Sequence, residues 1–232
     1  MEIYAVQLEK IPQALYGQLL CMLDKDKQQK INRFVRWEDA HRSVLGDLLL
    51  RYRLIAKGVK GNINFSKNSF GKPFIRENGH FFYNISHSGE WILCVTGSVE
   101  VGVDIEKINP IDLNLMKTIF TDREAQLLLK QPSSDRLPLF YNLWTLKESY
   151  IKTVGKGMSI PLKSFDVSHV ITNGASGIIQ QDNHPVYLKS IDFDSGYKVS
   201  VGSLDSNITD KINKICVSEL INVLLPTGQR QI

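Results

Sequence analysis

Three short stretches carry side chains whose types and spacing could do chemistry. In Val101-Gly102-Val103-Asp104-Ile105-Glu106-Lys107 the carboxylates stand two residues apart. On a strand that spacing puts Asp104 and Glu106 on one face and Val103 and Ile105 on the other. Neighbouring carboxylates repel unless positive charge lies between them. A hard divalent cation with oxygen ligands is one solution, and a half-buried strand with a wet acidic face is the other. In Trp144-Thr145-Leu146-Lys147-Glu148-Ser149-Tyr150-Ile151-Lys152, Glu148 precedes Lys152 by one helical turn, so the two share a face, if only as a surface ion pair. In Asn84-Ile85-Ser86-His87-Ser88-Gly89, adjacent strand residues face opposite sides, so Ser86 and His87 do not make a nucleophile and base. No G-x-S-x-G turn is present either. A hydroxyl and an imidazole at a strand-to-turn junction suit an anion better, although a lone histidine is commonly structural. Lys27, Lys30, Arg42 and Lys72 add dispersed positive charge.

The elements that must position these groups are legible from pattern. Asp39 is a natural N-cap, after which Ala40, Val44, Leu48, Tyr52 and Ile55 recur at helical spacing until Gly58, leaving His41, Arg42, Asp47 and Arg51 off the stripe. A charge-dense segment, Asp24 to Arg36, precedes it. Residues 2–8 read as an opening strand, and residues 58–71 as loop with one short strand at 62–65, closed by the turn Gly71-Lys72-Pro73. Strand-like pieces at 81–85, 91–97 and 99–105 suggest an antiparallel meander. Helices are expected near Asp112, near Thr121, whose Thr-Asp-Arg-Glu is a capping box, and from about Asp135 to Val154, ended by Gly155. Short strands follow near 165–171, 177–180, 186–192, 197–203 and 214–218. Each half thus reads as one long helix plus several strands, which allows a duplicated α+β plan with subdomains at roughly 1–98 and 99–225, each a long helix on a small antiparallel sheet. Residues 226–232 read as a loose tail.

The 232 residues, 43% of them hydrophobic and 22% charged, exclude disordered, collagen-like and coiled-coil classes. Lys and Arg exceed Asp and Glu by 28 to 24, a net +4 that suits an anionic ligand without implying nucleic-acid wrapping. Cys21, Cys94 and Cys216 lack any CxxC spacing and read as reduced thiols. No signal peptide or membrane span is apparent, so the expected location is the cytoplasm.

Taken in order, Gly71-Lys72-Pro73, Asn84 to Gly89, Gly102-Val103-Asp104-Ile105-Glu106 and Trp144 to Ser149 with Lys152 resemble the 4′-phosphopantetheinyl transferases of the single-chain, surfactin-synthetase-activating type. Arg33 to Leu50, with Trp37-Glu38-Asp39-Ala40-His41-Arg42, is similar to the same subgroup. The resemblance covers about residues 1–203 and implies that family's pseudo-twofold fold of two α/β subdomains. It also implies transfer of the phosphopantetheine arm of coenzyme A to a serine of an apo peptidyl or acyl carrier protein, with release of adenosine 3′,5′-bisphosphate.

By that resemblance Asp104, Glu106 and Glu148 would hold Mg²⁺, with Mn²⁺ as an alternative, and Glu148 would also be the candidate base. Lys152 would contact the pyrophosphate. Lys27, Lys30, Arg42, Ser86 and His87 would bind the phosphates of coenzyme A, while Gly71, Lys72 and Pro73 would line the adenine. Glu124 would orient an amine or a water. Carrier docking would fall on residues 110–125 and on the loop after Gly155, and the chain would act as a monomer, with no nucleic-acid or membrane partner. Two other functions fit the carboxylates: a metal-dependent phosphodiesterase, and a coenzyme A or nucleotide binding module without catalysis.

Overall fold

The structure is a computed structural model and describes residues 1–59, 63–76, 80–181 and 184–225. The expected tail at 226–232, and residue 62 of the expected short strand, lie outside the described residues. Glu2–Gln7 forms β1. Gln13–Cys21 (α1) and Lys25–Ile31 (α2) follow. The charge-dense segment folds as a helix because the Asp24 carboxylate accepts the Lys27 amide at 3.0 Å and closes its first turn. The long helix α3 spans Trp37–Ala56, so Asp39 sits in its first turn rather than capping it, with its charge toward the positive helix end. The apolar stripe also understates its burial. Asp47 and Arg53 are interior while Ile55 is exposed, because α3 is covered by a sheet and also by α1, α2 and the last helix of the chain.

Phe65–Lys67 (β2) and Pro73–Ile75 (β3) make a small hairpin. Phe82–Ser88 (β4) and Trp91–Gly97 (β5) make a tight one, so Ser86, His87 and Ser88 are strand residues. Val101–Lys107 is β6. Asp112 caps a 3-10 turn that leads into Met116–Ile119 (α4), and the expected capping box of Thr121 and Glu124 starts Asp122–Leu129 (α5). Ser133–Val154 (α6) ends as expected at Gly155, whose φ of 73° is the left-handed cap that glycine adopts without a steric penalty. Residues 165–171 are not a strand. They hold a loop and the short helix Ser168–Thr172 (α7), with Val167 and Val170 buried three residues apart. Ser176–Gln181 (β7), His184–Ile191 (β8), Tyr197–Ser203 (β9), Ile212–Ile215 (β10) and Val217–Leu224 (α8) complete the described chain.

The strands build two four-stranded sheets, in the orders β10-β1-β5-β4 and β6-β9-β8-β7. The expected meander therefore breaks after β5, since β6 pairs with β9 and opens the second sheet. A second correction concerns the C-terminus. β10 lies parallel to β1 and α8 packs on α3, so Ile212 to Leu224 return to the first half, and the first sheet is mixed rather than antiparallel. The sheets meet face to face. Ile3, Ala5, Leu93 and Val95 of one and Val101, Val103, Ile105, Val199 and Val201 of the other are buried between them. α3 and α8 cover the outer face of the first sheet, and α6 that of the second.

This layering turns Gly102, Asp104 and Glu106 toward α6, because Val101, Val103 and Ile105 take the inter-sheet side. Gly102 lies directly across the ladder from Gly202. A Cβ at Gly102 would lie 2.5 Å from the Thr153 amide nitrogen and also press on the Ser149 carbonyl, so the helix backbone rests almost on the strand. Gly102→Ala must push α6 outward. We expect a loss of about 3 kcal/mol, the upper end of ordinary overpacking costs, and a fall in Tm of about 6–12 °C at this chain length, read by differential scanning calorimetry.

Candidate active site

With α6 held this low, its Glu148 and Lys152 come down beside the carboxylates of β6. Ser86, His87, Asp104, Glu106, Trp144, Glu148 and Lys152 line one open cleft of 330 Å³ at the junction of β4, β6 and α6. Asp104 is 3% exposed. Its Oδ1 accepts from Lys152 Nζ at 2.6 Å and from Ser86 Oγ at 2.9 Å, while its Oδ2 is buried without a hydrogen-bond partner. Glu106 Oε2 accepts from Ser88 Oγ at 2.8 Å, and Trp144 lines the cleft alongside it.

The electrostatics of this group are one-sided. Burial, and then the repulsion of Asp104, pushes the carboxyls of Glu106 and Glu148 above the usual range, with Lys152 opposing. Burial raises Asp104 as well, against the pull of Lys152. Three acids that resist ionising side by side, one with an orphaned buried oxygen, fit a hard cation with oxygen ligands. Among the described residues, no three acidic, His or Cys groups stand close enough together, as they are placed, to hold a metal ion.

The remaining expected site residues are placed as follows. His87 opens to solvent at the cleft, and partial desolvation followed by the Arg42 cation holds its pKa below the usual imidazole value. Arg42 reaches across from α3, donating from Nε to the Gly89 carbonyl at 2.8 Å and pairing with Asp39 at 2.7 Å. Ser86 has no hydrogen left over. Its hydroxyl accepts from Ile105 N and Lys152 Nζ and donates to Asp104. Lys27 is paired with the buried Asp47, which also holds Arg51, and so pins α2 to α3. Lys30 is exposed and makes no ion pair among the described residues. Lys72 and Pro73 line a different pocket, with Phe74, Phe82 and Glu100, and Gly71 is exposed beside them. The Lys72 ammonium is tied to Glu100 and to the Val101 and Thr153 carbonyls, so only its stem is free to line anything.

Glu124 is a correction. It is wholly buried, accepts from the Thr121 and Val167 amides and pairs with Lys147 at 2.9 Å, which leaves it no freedom to orient an amine or a water. Reading the sequence by residue type passed over Trp144 and Ser88. The signal for Trp144 was its place four residues before Glu148 on the same helix face, and for Ser88 its place two residues after Ser86 on the same strand face.

Comparison with known proteins bears on the whole chain. Residues 100–202 match the 4′-phosphopantetheinyl transferase superfamily, and residues 12–99 match a family described as 4′-phosphopantetheinyl transferase, N-terminal. The chain is 36% identical over 226 residues to the 4′-phosphopantetheinyl transferase Sfp of Bacillus subtilis strain 168, which covers 95% of this chain and 100% of that protein. It is 39% identical over 221 residues to the 4′-phosphopantetheinyl transferase gsp of Aneurinibacillus migulanus, covering 93% and 91% of the two chains. A crystal structure of a holo-(acyl-carrier-protein) synthase from Bacillus anthracis strain Ames in complex with CoA (3′,5′-ADP) aligns over 47% of this chain and 97% of that one, at 21% identity and a TM-score of 0.36.

Proposed function

Because the chain belongs to the 4′-phosphopantetheinyl transferase superfamily, we propose that its cleft moves the 4′-phosphopantetheine arm of coenzyme A onto a serine of an apo peptidyl or acyl carrier protein, using Mg²⁺ or Mn²⁺ held by Asp104, Glu106 and Glu148. The observation that carries the reading is the convergence of these three acids and Lys152 on one open cleft. The serine oxygen bonds to phosphorus, the pyrophosphate P–O bond breaks, and adenosine 3′,5′-bisphosphate leaves. Bound there, the cation would neutralise the pyrophosphate and polarise the phosphorus under attack.

The chain's own groups supply the rest. Glu148, half-buried and with a raised pKa, accepts the serine proton directly or through water. Lys152 exchanges Asp104 for a phosphate oxygen and stabilises charge on the leaving group. His87 stands in the cleft for phosphate, with the Arg42 cation near enough to depress its pKa; an arriving anion favours the charged imidazole and raises that pKa. Lys30 adds an exposed cation, Lys27 contributes on releasing Asp47, and Gly71, Pro73 and the Lys72 stem take the adenine. Leu115 and Met158, 48% and 70% exposed, lie in the two segments assigned to carrier docking. The chain acts as a monomer in the cytoplasm. Among the described residues, no helix is long and apolar enough to cross a membrane.

Intact-mass spectrometry of an apo carrier domain incubated with the protein, coenzyme A and Mg²⁺ tests this. The expected result is a gain of one phosphopantetheine that disappears in EDTA and returns with excess Mg²⁺. Folded protein that modifies none of several apo carriers would overturn the proposal, and modification undiminished by EDTA would remove the metal from it.

A further inference from the structure

Three alternate residues of β4 reach sideways to the backbone of β6. Asn84 Oδ1 accepts from Val103 N at 3.0 Å, Ser86 Oγ from Ile105 N at 3.3 Å and Ser88 Oγ from Lys107 N at 3.1 Å. The two serines each make a second bond to the acid on the strand they hold, Ser86 to Asp104 and Ser88 to Glu106. The two bonds of Ser88 are not independent. A hydroxyl has one hydrogen, and since the Lys107 amide must donate to the oxygen, that hydrogen is left for Glu106 Oε2.

We propose that Ser88 is a positioning residue for the cation, aiming the Glu106 carboxylate from the first half of the chain, while Trp144 of the second half lines the same cleft. The inference rests on the metal reading above. Glu106 is the less buried of the two acids of β6 and, unlike Asp104, has no lysine on it among the described residues. Without a donor on Oε2 its terminal torsion is broad, and the carboxylate spreads over orientations of which few face Asp104 and Glu148. Partners of this kind outside the metal's own ligands typically govern affinity by 10–100-fold. Ser86 works in parallel at Asp104, but it shares its oxygen with Lys152, so Ser88 is the cleaner probe.

The test is Mn²⁺ titration of the coenzyme A complex, read from the electron paramagnetic resonance signal of free Mn²⁺, for the wild type, Ser88→Ala and Ser88→Thr. Coenzyme A affinity in EDTA is measured alongside by calorimetry. Ser88→Ala should raise the Mn²⁺ dissociation constant by at least about tenfold, Ser88→Thr should restore it, and metal-free coenzyme A binding should be unchanged in both. Wild-type Mn²⁺ affinity in Ser88→Ala, or equal weakening in Ser88→Thr, would overturn the proposal. If Ser88→Ala does not fold by circular dichroism, Ser88→Cys keeps the size with a weaker donor, and wild-type affinity in that variant overturns the proposal equally. Absence of Mn²⁺ binding by the wild type itself would instead bring down the metal reading, and this inference with it.

Discussion

Glu148→Gln should lower the rate of carrier modification by about 10²–10⁴-fold, the range that a positioned general base contributes, while leaving the fold intact. The substitution keeps the shape of the side chain and removes its charge and its basicity. Two roles are lost together, and they separate on metal titration. If Glu148 acts only by holding the cation, saturating Mg²⁺ restores most of the rate; if it is also the base, the loss persists at any Mg²⁺ concentration. Protons compete for the same oxygens. Because burial raises Asp104, and burial with the repulsion of Asp104 raises Glu106 and Glu148, that competition begins at higher pH than for ordinary carboxylates. The Mg²⁺ concentration giving half the maximal rate should therefore rise as pH is lowered below neutral. A requirement independent of pH down to the ordinary carboxylate range would contradict the crowded-acid picture.

The largest effect on stability should come from Lys147→Met. Lys147 and Glu124 are both fully buried, and Lys147 uses its three hydrogens on Glu124 at 2.9 Å, Leu162 O at 2.7 Å and Phe165 O at 2.8 Å. Burial pulls Lys147 down and Glu124 up in pKa, each against the attraction of the other. Removing one partner strands the other charge in the interior, a loss of about 3–5 kcal/mol. The double variant Lys147→Met with Glu124→Leu should regain part of it by removing the second charge as well. Recovery stays incomplete because Glu124 also accepts the Thr121 and Val167 amides, and losing such a cap costs about 1 kcal/mol. Urea unfolding of the three variants and the wild type would decide. A single variant within about 1 kcal/mol of wild type, the scale of an exposed pair, would show that the ion pair is not closed off from water. The pair also joins α6 to α5 and to the segment before α7, so its loss should loosen the helix that carries Glu148.

What the sequence made legible was local. The capping box at Thr121, the left-handed stop at Gly155, the strand periodicity that puts Asp104 beside Glu106 and the helical turn from Glu148 to Lys152 each depend on residues a few positions apart. Pairing across the molecule leaves no such mark. Val99 to Ile105 has the same alternation whether β6 continues a meander or opens a new sheet, and only the coming of β9 decides it. The parallel return of β10 to β1 spans some two hundred residues and was invisible for the same reason. Charge was read least well. Lys27, Lys72 and Glu124 look alike as solvated or ligand-facing groups in a sequence, yet their partners Asp47, Glu100 and Lys147 lie twenty or more residues away and fix what each is able to do.

β4 and β6 are the last strands of their respective sheets, and they face each other. An end strand with open amides is a template onto which a foreign strand can add. Here Asn84, Ser86 and Ser88 occupy the amides of Val103, Ile105 and Lys107, so an intruding strand could pair with β6 only by first displacing the side chains that hold Asp104 and Glu106. Aggregation along that edge and loss of the site are thus one event. A substitution that frees the edge would show itself as a chain that precipitates as well as one that fails to turn over.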